Sequence, residues 1–197
     1  MANPRIHLTG ASGAGVSTLG RVLARRLDAP WLDTDDFYWV WGVEPYTVKR
    51  PGADRLELLG RVLDGAPRWV LSGSLDGWGD PLIPRFDLVV FVATPTPVRL
   101  ERLRRRERQR YGAAIDPGGA RHEAYKAFLA WAAAYDDGSR EGRSLARHEA
   151  WLARLPCPVL RIDGRRPTSQ LVEELLGVLD RIRAPAAAPP ISGSVSE

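Results

Sequence analysis

The segment Gly10-Ala11-Ser12-Gly13-Ala14-Gly15-Val16-Ser17-Thr18 has the spacing of a phosphate-binding loop, G-x-x-x-x-G-K-[ST], with Val16 standing where the pattern carries its lysine. The parts of such a loop do separate chemistry. Glycines let successive backbone N–H groups turn inward around phosphate oxygens, and the helix that follows adds its positive N-terminal end. The lysine adds a full charge that reaches the β- and γ-phosphates. This chain keeps the cradle and lacks the point charge. Residues 10–18 are therefore expected to bind a nucleotide, while the cation for chemistry must come from elsewhere. Ser17 is expected to offer its hydroxyl to Mg²⁺, with Thr18 beside it.

Further charged groups stand at regular spacings. Asp33 and Asp35 sit two residues apart where a short apolar segment ends, followed by Asp36, which reads as the cap of the next helix. Arg102, Arg106 and Arg110 recur every four residues, so a helix sets them along one side, with Leu100 and Leu103 on its apolar side. Arg143 and Arg147 lie one turn apart and face either phosphates or solvent. Lys49-Arg50 is a competing source of positive charge. Phe37, Tyr38, Trp39, Trp41 and Tyr46 crowd one stretch, suited to stacking on a flat ring or to forming a small local core. His7, His122 and His148 show no metal spacing, and His7 reads as a packed core residue.

These groups need a scaffold, and the hydrophobic pattern supplies one. A strand is expected over Arg5–Thr9, running into the glycine loop and then a helix with Leu19, Val22, Leu23 and Leu27 at helical spacing. A short second strand covers 30–33. A helix after Pro51 carries Leu56, Leu59, Val62 and Leu63, and a third strand covers 68–74. The run Phe86–Ala93 is continuously apolar, as in a strand covered on both faces. The arginine-rich helix comes next, then two helices over 121–135 and 144–155, a strand over 158–163 and a helix over 168–182. Strands alternating with helices indicate a three-layer α/β/α sandwich with a mainly parallel five-stranded sheet. The helical pair breaks that alternation and reads as an inserted lid over about 107–155, or as padding at the sheet edge. The proline-, alanine- and serine-rich stretch 184–197 reads as a disordered tail.

Bulk properties agree. At 197 residues the chain suits one domain, placed at 1–183. The single cysteine, Cys157, lies in an apolar stretch and reads as a small core residue. No apolar run approaches a membrane span and no signal-peptide layout opens the chain, so a cytoplasmic protein, monomer or homodimer, without a membrane partner is expected. The net charge of +4 is carried by arginine-rich helix faces, and no nucleic-acid recognition motif accompanies it. A nucleotide and a small-molecule acceptor are the more economical partners.

The order of loop, short strand ending in Asp33-Thr34-Asp35, glycine-bearing third strand, apolar fourth strand and arginine-bearing helix resembles the nucleoside monophosphate kinase and shikimate kinase group, which is adenylate kinase-like, over nearly the whole chain to about residue 182. Val16-Ser17-Thr18 is similar to the loop of archaeal-type cytidylate kinases, in which a small residue replaces the lysine. The resemblance implies a fold of P-loop NTPase type with a helical lid, ATP and Mg²⁺ as cofactors, and phosphoryl transfer to a nucleoside monophosphate or a hydroxylated metabolite. It implies that Asp33 and Asp35 hold metal-bound water and the acceptor hydroxyl. It casts Arg102, Arg106 and Arg110 as clamps on the transferring group and first candidates to replace the lysine. Residues 34–66 would receive the acceptor, with Gly73 allowing close approach and Asp80 as a weaker contact. Arg165 would lie where adenine rests. The alternative is a nucleotide-binding regulatory or interaction protein that performs no transfer.

Overall fold

The computed structural model describes residues 4–42 and 46–183. Five strands, β1 (Arg5–Gly10), β2 (Trp31–Asp33), β3 (Trp69–Ser72), β4 (Leu88–Ala93) and β5 (Val159–Asp163), form one sheet in the order β2-β3-β1-β4-β5. Every pairing is parallel, with Ile6 opposite Val70 and Leu88, and Val90 opposite Leu160. The expected "mainly parallel" sheet is thus wholly parallel among the described residues. The helices are α1 (Val16–Arg26), α2 (Thr34–Tyr38), α3 (Gly52–Asp64), α4 (Thr96–Tyr111), α5 (His122–Ala133), α6 (Leu145–Leu152) and α7 (Thr168–Arg183), with short 3-10 turns at Asp80–Arg85 and Gly112–Ile115. The stretch 184–197, read as a tail, lies outside the described residues.

The period-two alternation of a strand divides the core into two. Ile6, Leu8, Val70, Val90, Val92 and Ile162 point to one face and pack against Leu19 and Leu23 of α1 and Leu171, Val172 and Leu175 of α7. Trp69, Leu71, Val89 and Phe91 point to the other and pack against Leu59 and Leu63 of α3 and Trp151 and Leu152 of α6. Covering both faces is why β4 reads as an unbroken apolar run. His7 points into the second layer, stacked on Phe86 with ring centroids 5.2 Å apart, as a core residue. Cys157 is half-buried against the same layer.

Two local readings need correction. A one-turn helix, α2, begins immediately after β2, and its cap is Asp33 rather than Asp36: the Asp33 carboxylate accepts the Asp35 backbone N–H at 3.1 Å. Asp33 has the extended backbone of an N-cap residue, whereas Asp36 lies inside the helix. The third strand ends at Ser72, because Gly73 turns to φ +121° and its backbone lies against the Thr34 side chain. Thr34 Oγ1 then accepts the Ser74 N–H at 3.0 Å. Gly73's close approach is therefore to Thr34, tying the ends of β2 and β3 together. No described helix is long and apolar enough to cross a membrane.

Candidate functional site

β1 is the central strand, so the loop that follows it opens at the middle of the carboxyl edge of the sheet, where ligands of open α/β sheets bind. Gly13 and Gly15 take φ +80° and +103°, and Gly15 caps α1. A Cβ on Gly13 would stand 2.6 Å from the Arg99 carbonyl oxygen, so this position also needs glycine for space. The first turn of α1 carries no acidic residue, leaving its N-terminal N–H groups free to meet an anion. Val16 is 8% exposed and its side chain belongs to the core beneath the loop. It brings nothing polar to the mouth.

Ser17 Oγ donates to Asp33 Oδ2 at 2.8 Å. A hydroxyl and a carboxylate at this range are hard oxygen donors of the kind Mg²⁺ accepts while retaining waters, so the pair fits the expected metal position. Asp35, the second residue of α2, faces a cavity of about 870 Å³. Its carboxyl is pushed above the usual aspartate range by confinement in the cleft and then by the charge of Asp33; Arg143, a hydrogen bond from the Trp39 side chain, and Arg106 pull the other way. Ser12 of the loop lines the same cavity. One wall is aromatic, with Tyr38, Trp39, Tyr46 and Trp78. The Arg55 guanidinium sits 3.7 Å over the Tyr38 ring, fixing that wall from behind. The stretch read as either stacking surface or local core is both: Phe37 and Trp78 pack against the core while Tyr38, Trp39 and Trp78 face the cavity.

The expected arginine series divides. Arg106 and Arg110 line the cavity, Arg106 salt-bridged to the buried Glu107 at 2.8 Å and Arg110 over the Tyr46 ring at 5.2 Å. Arg102 points the other way, donating to the backbone oxygens of Ala14 at 3.1 Å and Gly164 at 2.9 Å. It joins the loop to the turn after β5. Arg165 on that turn is exposed and held by Asp163, whose carboxyl falls to about 2 in consequence. Asp80 accepts the Trp151 indole N–H at 2.9 Å and pairs with Arg154, outside the cavity lining; that bond takes it away from an acceptor. Lys49 lines the cavity, while Arg50 is turned back onto the Phe37 and Trp39 carbonyls.

One arginine of the site, Arg99, is not singled out by the sequence, and another, Arg143, is open there between phosphates and solvent. Arg99, wholly buried on α4, donates to the carbonyls of Thr94 at 3.0 Å, Ala132 at 3.0 Å and Ser12 at 3.4 Å, and to Asp136 at 3.2 Å. Nothing in the spacing of an arginine-rich helix separates it from its exposed neighbours. Arg143, between α5 and α6, donates to Ser12 Oγ at 2.7 Å and lines the cavity. The choice between phosphates and solvent is thus decided for its geometry: it faces the loop, while Arg147 pairs with Asp76 at 3.1 Å. The protein packed around Arg143 lowers its guanidinium below the ordinary value, opposed chiefly by Asp35. The glycine just before it, Gly142, is the one sequence cue that the chain turns there.

The uncharacterized protein YqaC of Bacillus subtilis (strain 168) is 47% identical to this chain over 174 residues, which cover 88% of the chain and 96% of YqaC. The chain belongs to the YqaC family. No family model matches it. Among solved structures, shikimate kinase from Acinetobacter baumannii in complex with shikimate is similar at a TM-score of 0.56 and 16% identity, covering 92% of this chain and 95% of that one. Shikimate kinase from Bacteroides thetaiotaomicron is similar at a TM-score of 0.52 and 21% identity, over 90% and 98% of the two chains. At these identities the likeness is one of fold. This YqaC-family chain has the fold of the P-loop small-molecule kinases of the adenylate kinase-like group.

Proposed function

We propose that this protein is a Mg²⁺- and ATP-dependent phosphotransferase that moves the γ-phosphoryl group to a small acceptor, a nucleoside monophosphate or a hydroxylated metabolite. The observation that carries this reading is the junction of three parts: the phosphate cradle of residues 10–18, the Ser17–Asp33 pair at 2.8 Å, and the Asp35 carboxyl facing a cavity of about 870 Å³ large enough for a second substrate. A pure nucleotide binder has no use for the last two.

In this reading the N–H groups at the start of α1 bind the phosphates, and Ser17 with Asp33 would hold Mg²⁺, which supplies charge neutralisation between the β- and γ-phosphates. The bond from the γ-phosphorus to the β–γ bridging oxygen breaks as the acceptor oxygen bonds to phosphorus, giving ADP and a phosphorylated acceptor. Asp35 orients the acceptor and, where that group is a hydroxyl, takes its proton. The raised Asp35 carboxyl suits a base that must also release the proton. Residues 34–66 receive the acceptor, residues 107–155 close as a lid, and both belong to one domain at 1–183. A cytoplasmic location, where ATP is supplied, belongs to the same reading.

ATP consumption with Mg²⁺ should be followed against a panel of nucleoside monophosphates, sugars and hydroxy acids, with products identified by mass. Acceptor-dependent ADP formation with a phosphorylated product is expected. MgATP binding with no transfer to any acceptor would instead support a regulatory nucleotide-binding protein, the reading that the missing loop lysine favours.

A further inference from the structure

The loop brings no cation of its own, because Val16 is turned into the core. The cations around it differ in what they are already committed to. Arg99 and Arg102 donate to backbone carbonyls that hold the loop in place. Arg106 is bridged to Glu107 and Arg147 to Asp76. Arg110 is stacked over the Tyr46 and Tyr111 rings. Arg143 differs from all of them. Its hydrogen bond goes to a loop side-chain hydroxyl, Ser12 Oγ, at 2.7 Å, and its guanidinium stands 5.5 Å over the Trp131 ring.

Its approach is built in. Gly142, at φ +99°, turns the chain immediately before it, and Ser144 immediately after it caps α6 by accepting the Arg147 N–H. Leu145 N–H bonds the Tyr135 carbonyl at 2.8 Å, and the Tyr135 hydroxyl meets His148 Nδ1 at 2.6 Å. The chain immediately after Arg143 is thus pinned, and the side chain stands at the loop before any ligand arrives. An arginine in this setting offers a planar fork of donors suited to phosphate oxygens.

We propose that Arg143 supplies, from outside the loop, the positive charge on the terminal phosphate that a P-loop lysine supplies from within it. This assignment rests on the kinase reading. It makes Arg143, rather than the Arg102–Arg110 series, the replacement for the lysine. As the γ-phosphoryl group leaves the β–γ bridging oxygen for the acceptor oxygen, Arg143 neutralises charge on its equatorial oxygens, and any acceptor proton goes to Asp35.

The test compares MgATP and MgADP affinities by calorimetry in the full chain and in R143A, R143K and R106A, with thermal unfolding as the fold control. R143A is expected to weaken MgATP by about tenfold or more while changing MgADP by less than about twofold, the loss of one charge-assisted contact to the third phosphate. R143K should recover part of the preference. R106A, by contrast, should leave the ATP-to-ADP ratio within about twofold, because Arg106 is bridged to Glu107. Turnover with an accepted acceptor should fall about 100-fold or more in R143A. An unchanged ATP-to-ADP ratio in R143A, or a loss of that ratio in R106A as large as in R143A, overturns the assignment and leaves the kinase reading standing. If the unmodified protein binds neither nucleotide, both are overturned.

Discussion

Arg99 is the residue whose loss should be felt furthest from where it sits. Its side chain is 0% exposed and joins three segments that are distant in sequence: the loop through Ser12, the end of β4 through Thr94, and the 107–155 segment through Ala132 and Asp136. Replacing it with methionine keeps much of the stem and removes every donor. The Ala132 carbonyl then loses its partner in a buried position and the Thr94 carbonyl in a partly buried one, at about 1–3 kcal/mol each. Release from the cost of burying a guanidinium offsets part of this, and Asp136, half in solvent, is left with access to water. A net loss of about 3 kcal/mol follows, corresponding to a fall in Tm of about 6–12 °C for a domain of this size. Because Ser12 and the Arg99 carbonyl beside Gly13 both belong to this contact, the loop should loosen as well, weakening MgATP by at least severalfold. Urea and thermal unfolding monitored by tryptophan fluorescence, with calorimetric titration of MgATP, measure both effects. A Tm within about 2 °C of the unmodified protein, at an unchanged m-value, would refute the clamp.

Asp35→Asn should lower kcat by about 10²–10⁴ while leaving MgATP affinity within about threefold, and the acidic limb of kcat/KM in the unmodified enzyme should lie above the ordinary aspartate range; equal losses in affinity and turnover would remove Asp35 from the chemistry. Asp33→Asn should do the reverse, weakening MgATP first, since Asp33 holds Ser17 and caps α2. Two buried histidines set the acid stability. His7 and His148 are lowered to about 3 and about 4, in each case mainly by burial, so the folded state resists protonation that the unfolded chain accepts near 6.5. Stability should therefore be full above about pH 7 and fall as pH drops from about 6.5 toward about 4, by about 2 kcal/mol per histidine at pH 5. Urea midpoints at pH 7.5 and pH 5 test this, and a His148→Gln variant should show roughly half the pH dependence. No change between the two pH values would contradict the burial of both rings.

The local rules of the chain determine much of this protein unaided. Glycine spacing and the Ser17-Thr18 pair declare a phosphate loop because only certain residues tolerate that backbone. The apolar run of β4 declares a strand covered on both sides, and the four-residue period of Arg102, Arg106 and Arg110 declares a helix. What distant parts of the chain do to one another is another matter. The periodicity of α4 puts its arginines on one side but does not say that Arg102 would meet Ala14 and Gly164 while Arg106 and Arg110 face the cavity. Asp33, Asp35 and Asp36 are three similar residues in a row of four, and only the fold makes the first a cap bonded to Ser17 and the second a cavity group. Arg99 and Arg143 look like any surface arginine in the sequence. One is enclosed and the other delivered to Ser12 by contacts 87 and 131 residues apart along the chain. Local backbone preference is written into neighbouring residues, whereas the ownership of a charge depends on which partners the tertiary structure brings within hydrogen-bonding distance.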